Sequence, residues 1–263
     1  MATAESQQPG PPGRLRTGWS QLLKIGDKTA VKNAVLNGCK WITKIQNRNG
    51  GIPTFSKGWG KLPFDESCTD LTGHCLLALS TTIETYGAEM DKGLLRNLKG
   101  SINAMLYFLM LNQFKDGRGL PLWFGNQMTE NHKNPVYGTA RILTYLNDTI
   151  QHTWLNERSA RVLEKMITTG MDYLKSAQNS DGSWGGAKDI TGSIEETALA
   201  ISALSGSENH DQIEKGLQWL DGFHTKNGLK PSPIGLYFAS LWYSEKMYPL
   251  VYYIEALSRV KKE

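Results

Sequence analysis

The chain is short of cysteine, of unbalanced charge and of long apolar runs, and each shortage excludes something. Cys39, Cys68 and Cys75 are odd in number and lack a CxxC pair. That excludes a disulfide framework and implies reduced thiols in a cytosolic setting. Cys68, Asp70 and His74 are metal-ligand types close together, but helix-face residues in ordinary packing look the same, and no metal is expected. Basic residues exceed acidic ones by 29 − 25 = 4, and no basic block is longer than Lys261-Lys262. Nucleic acid is therefore not an expected partner. No apolar run reaches ~18 residues, so no membrane-spanning helix is predicted. The N-terminus lacks the apolar stretch of a signal peptide.

What is present is a core-forming composition and a repeat. Hydrophobic residues make up 40% of 263 positions, enough to bury a sizeable core. Residues 1–17, with Pro9, Gly10, Pro11, Pro12 and Gly13, read as a flexible tail, and 18–263 as one domain. From Trp19 the pattern turns helical. Ala30, Val31, Ala34, Val35, Trp41, Ile42 and Ile45 recur at three-to-four spacing and stop at Gln46-Asn47-Arg48-Asn49-Gly50-Gly51. A loop leads to a second helix from Leu71 to about Tyr86. The same order recurs three times: Leu94–Leu111 to Gln113 and Gly117, then a helix near Val136–Ala140; Ala160–Lys175 to Gln178 and Gly182, then Glu195–Leu204; Ile213–Leu220 to His224 and Gly228, then a helix over Leu236–Trp242, with Pro249–Val260 closing. Such αα-hairpins bury their apolar faces only by stacking on neighbours. The fold class expected is all-α, a barrel-like array of helical hairpins.

The best-kept joint is Gln178-Asn179-Ser180-Asp181-Gly182-Ser183-Trp184. A Gln at a helix end can bond orphan backbone groups, the Gly permits a tight turn, and the Trp covers the joint. The first copy has Ile52 and the second Gly119 where Trp184 stands. Gln46, Gln113 and Gln178 are read as structural locks rather than chemistry.

The spacing of Gln178, Gly182 and Trp184 resembles the QW motif of squalene and oxidosqualene cyclases, α/α-toroid enzymes. Longer strings are similar to the C-terminal half of bacterial squalene-hopene cyclases. They are Thr72-Gly73-His74; Trp123-Phe124-Gly125-Asn126-Gln127 with Asn134-Pro135-Val136-Tyr137-Gly138-Thr139-Ala140; and Gly235-Leu236-Tyr237-Phe238 with Tyr248-Pro249-Leu250 and Ala256-Leu257-Ser258-Arg259. The likeness runs from about Lys32 to Lys261.

The resemblance implies a class II triterpene cyclase-related protein handling a linear isoprenoid such as squalene in an apolar, aromatic cavity, with no cofactor. That family protonates its substrate with an Asp-x-Asp-Asp-Thr-Ala motif, which this chain lacks. His74 and Tyr137 correspond to the acid's helpers. The nearest substitute acid is Glu195-Glu196, although a helix dipole there would favour the ionised, low-pKa form and leave no proton to give. Trp123, Gln127, Tyr237 and Trp242 are the expected substrate-binding wall. Gln127 stands where the family has a Trp, and Leu241 and Ser244 where it has Tyr. Cyclisation by this chain alone is not expected. The alternatives are a non-catalytic isoprenoid-binding scaffold and one subunit of a split cyclase whose partner chain carries the acid. A cytoplasmic protein in peripheral contact with a membrane would suit a lipid substrate.

Overall fold

The computed structural model describes residues 27–57, 65–206, 209–236 and 241–261. Its elements are α1 (Lys28–Ile45), β1 (Ile52–Pro53), β2 (Ser67–Cys68), α2 (Thr69–Tyr86), α3 (Lys92–Asn112), α4 (Pro135–Ile150), α5 (Glu157–Ser176), α6 (Ile194–Leu204), α7 (His210–Asn227), β3 (Gly235–Leu236), β4 (Trp242–Tyr243) and α8 (Met247–Val260). The architecture is all-α: each of these strands is two residues long, paired antiparallel as β1–β2 and β3–β4.

The helices form a two-layered arc. Inner helices α2, α4, α6 and α8 pack in that order, and outer helices α1, α3, α5 and α7 pack behind them. Two apolar clusters follow. One gathers Val35, Leu79, Leu98, Met105, Leu146 and Leu163, and the other gathers Tyr137, Leu143, Trp184, the apolar residues of α6, and Tyr252. Every residue of α6 is buried, including Ala198, Ala200 and Ala203, and those small side chains let its neighbours approach closely.

Three joints between outer helices are built alike. Gln46 Nε2 donates to the carbonyls of Gly50 (2.7 Å) and Ser101 (3.1 Å). Gln113 does the same to Gly117 (3.0 Å) and Met166 (2.9 Å). Gln178 does the same to Gly182 and Gln212, both at 2.9 Å. The turn glycines have φ of 92°, 90° and 92°, a left-handed conformation that suits glycine. A Cβ on Gly117 would lie 1.9 Å from the Thr169 carbonyl oxygen. A threonine in the first turns of the inner helix completes each joint. Thr72, Thr139 and Thr197 accept from the amides of Ile52 (2.9 Å), Gly119 (2.8 Å) and Trp184 (3.0 Å). Trp184 is fully buried and donates from its indole to the Leu174 carbonyl at 2.8 Å.

The fourth hairpin departs from the sequence reading. The helix expected over Leu236–Trp242 is not there: Gly235–Leu236 and Trp242–Tyr243 pair as strands, residues 237–240 lie outside the described residues, and the inner helix is α8. Pro231, Pro233 and Gly235 precede that stretch, and the β-favouring Trp242 and Tyr243 end it. Trp19 also lies outside the described residues.

Candidate functional site

The site is assembled on the inner side of the arc. Asn134 caps α4, its Oδ1 accepting from the Tyr137 amide at 3.0 Å, with Pro135 at the first helical position. That cap fixes Tyr137 in a buried position, where Phe124 stacks on it at 4.3 Å and 18°. Its hydroxyl hydrogen-bonds Tyr252, and burial holds its pKa well above the usual phenol value. Tyr248 is tilted against Phe124 at 6.3 Å and stacks on Tyr252 at 5.4 Å. Two turns along α4, His74 of α2 stacks on Tyr145 at 5.0 Å.

Between these rings stands a residue that the sequence reading passed over. The Arg141 guanidinium lies 4.9 Å from the Tyr145 centroid and 5.8 Å from that of Tyr252, donates to the Tyr145 hydroxyl, and pairs with Glu255 at 3.6 Å. Glu255 also accepts from Arg259 (3.3 Å), which grips Asp148 with two bonds of 3.0 and 2.9 Å. Tyr137–Tyr252, Arg141–Glu255 and Asp148–Arg259 thus form three rungs from α4 to α8, across the face of α6. Burial, and then the Arg141 charge, lower the His74 pKa against the pull of Asp70. Both expected helper residues, His74 and Tyr137, therefore surround one permanent cation.

Glu195 and Glu196 do not behave as helix-start acids ionised by the dipole. Both are 0% exposed, and burial raises both pKa values, that of Glu196 to about 7. Desolvation outweighs the dipole because the dipole contributes at most ~2 kcal/mol, whereas burying an unpaired carboxylate costs several. Glu196 Oε1 accepts from Asn126 and Asn134, each at 3.0 Å, and its Oε2 from the Ser193 hydroxyl. Glu195 Oε1 accepts from the Ser232 amide at 2.7 Å, and its Oε2 is buried without a partner. Neither His74 nor Tyr137 is among these partners.

The expected wall residues lie along the rim. Trp123 donates to Thr54 Oγ1 and faces Phe55, with centroids 6.5 Å apart. Trp242 meets His132 edge-on at 5.3 Å. Gln127 is exposed, as is Leu241. Tyr237 lies outside the described residues. The Cys68 thiol donates to Asp70 Oδ1 at 2.6 Å, and among the described residues no group of three His, Cys, Asp or Glu side chains is placed to hold a metal.

The sequence profile of the squalene-hopene cyclase C-terminal domain matches residues 19–255. The chain belongs to that family. Squalene-hopene cyclase C-terminal domain relatives include the enfumafungin synthase of Hormonema carpetanum, 24% identical over 84% of this chain and 17% of that protein. A probable squalene–hopene cyclase of Sinorhizobium fredii is 25% identical over 74% of this chain and 30% of its own length. A copalyl diphosphate synthase of Streptomyces cyslabdanicus is 29% identical over 70% and 30%. The fold is shared with the ent-copalyl diphosphate synthase from Streptomyces platensis, at a TM-score of 0.57 and 19% identity, covering 83% of this chain and 37% of that one. The chain thus spans under a third of the length of the curated relatives named here. No described helix is long and apolar enough to cross a membrane.

Proposed function

We propose that this squalene cyclase-related chain holds a linear isoprenoid of the squalene class against its aromatic inner face and does not itself start cyclisation. The observation that carries the reading is the place of Arg141. A cyclising carbocation needs π faces, no water and no competing charge. Here the faces of Tyr145 and Tyr252 already carry a guanidinium, and the Glu255 carboxylate beside it would trap or deprotonate a passing cation. A second cation ~7 Å from the first is disfavoured by about 2 kcal/mol at an effective dielectric of 20. The substitute acid is also poorly placed: both Glu196 oxygens are engaged by Asn126, Asn134 and Ser193, and Glu195 is fully enclosed.

Purified protein incubated with squalene is expected to bind it, seen as quenching of tryptophan emission, and to give no cyclic product by mass spectrometry. Robust turnover that vanishes in Glu195→Gln or Glu196→Gln would overturn the reading and make the pair the acid. The missing Asp-x-Asp-Asp-Thr-Ala motif beside a kept His74 and Tyr137 favours a second reading, one subunit of a split enzyme acting beside a membrane surface. Turnover only after adding a chain that carries Asp-x-Asp-Asp-Thr-Ala would establish that reading.

A further inference from the structure

We propose that Glu195 and Glu196 form a one-proton clamp that fastens the rim of the inner face to α6 and lets it open when the proton leaves. The argument begins with what surrounds the two carboxyls. They are consecutive, fully buried, and without an ion pair to any described cation. Two such ionised groups side by side would each bear an uncompensated desolvation cost as well as mutual repulsion. The pair therefore retains a proton, which belongs to both residues as a unit. Glu195 Oε2, the carboxyl oxygen without a partner, is the weak point once that proton is gone.

The clamp reaches the rim from two sides. Glu196 holds Asn126 and Asn134, the two ends of the loop that runs between Phe124 and Tyr137, whose rings stack. Glu195 holds Ser232, in the segment leading to Gly235. The two segments are joined directly: the Gly125 amide donates to the Ile234 carbonyl at 2.9 Å, and the Leu236 amide to the Trp123 carbonyl at 2.8 Å. When both carboxyls ionise, hydration of Glu195 requires the 229–236 segment to lift, and these main-chain bonds go with it.

The sign follows from linkage. Burial raises both pKa values in the folded chain, that of Glu196 to about 7. The folded state therefore holds the proton more tightly than the unfolded state. The resulting stability is full below the ordinary carboxyl range and is lost as pH rises through about 7. The clamped loop itself carries His132, edge-on to Trp242 at 5.3 Å, and α7 carries His210 and His224. The Glu195→Gln and Glu196→Gln variants separate any contribution of these imidazoles from that of the pair. Tyr137 of α4, Tyr173 of α5 and Tyr252 of α8 are phenols with raised pKa values, and α7 contributes the apolar Ile213 and Leu220.

The test is hydrogen exchange by mass spectrometry from pH 5 to pH 8, corrected for the intrinsic pH dependence of amide exchange. In the wild-type chain, protection of peptides 123–136 and 229–236 is expected to fall at least tenfold, while peptides from α3 hold theirs. Glu196→Gln and Glu195→Gln each remove one charge and are expected to flatten the profile. A wild-type rim with constant protection, or a variant that loses protection as steeply as wild type, would overturn the clamp. Should either variant fail to fold, carboxyl carbon NMR of the wild-type protein decides. Both resonances titrating in the ordinary carboxyl range would refute the proposal.

Discussion

A glutamine and a glycine decide each joint of the arc. Gln113 donates to two backbone carbonyls, those of Gly117 and Met166, so Gln113→Ala loses two bonds across the joint and is expected to destabilise the chain by about 2 kcal/mol in urea unfolding. Glycine makes a sharper comparison. Gly117 and Gly228 both have positive φ, 90° and 67°. A Cβ at Gly117 runs into the Thr169 backbone, whereas at Gly228 nothing lies within 4 Å. Gly228 has ψ −165°, a conformation nearly reserved for glycine, so Gly228→Ala is expected to cost about 1–3 kcal/mol from the backbone alone. Gly117→Ala adds a clash with the Thr169 carbonyl that the backbone must move to relieve, and is expected to cost more than Gly228→Ala. Equal midpoints for the two variants would show that the joint is not tight.

Among the elements, α8 depends on side chains reaching over α6 for much of its hold on α4. The Asp148–Arg259 rung is bidentate and its arginine side chain is only 12% exposed. A double-mutant cycle through Asp148→Ala and Arg259→Ala should give a coupling of about 1–2 kcal/mol, above that of an exposed pair. A coupling near zero would assign the docking of α8 to its apolar contacts alone. This ladder also marks where sequence reading stops. The hairpins were legible because Gln46, Gln113 and Gln178 recur before glycine turns, and the helices followed within a few residues. Arg141 and Glu255 were not legible, since 114 positions separate them and nothing local reveals that α4 and α8 meet across α6. The Glu195–Glu196 pair was misjudged for a similar reason. From sequence it is two acids after Ser193, but Asn126, Asn134 and Ser232 close over it only in the folded arc. The false helix over Leu236–Trp242 came from carrying the repeat into a stretch where Pro231, Pro233 and Gly235 overrule it.

Across the whole molecule, stability is a sum over hairpins and the joints between them. The fourth joint has His224 in place of Gln, its ring edge-on to Tyr253 at 6.0 Å. Native-state hydrogen exchange is therefore expected to show the C-terminal end of α7 opening at lower free energy than α1, α3 or α5, each of which ends in a lock. A uniform opening energy across the four outer helices would refute that order. The locks carry one consequence beyond stability. Each glutamine donates to main-chain carbonyls, atoms that every residue possesses, so these bonds are indifferent to the side chain standing at Met166 or Gln212; at the first joint the Ser101 hydroxyl adds a bond of its own to Gln46 Oε1 at 2.6 Å. Hairpins joined this way behave as interchangeable modules. One can be duplicated, lost or recombined without a matching change in its neighbour, and an arc of four can be extended or shortened by whole units.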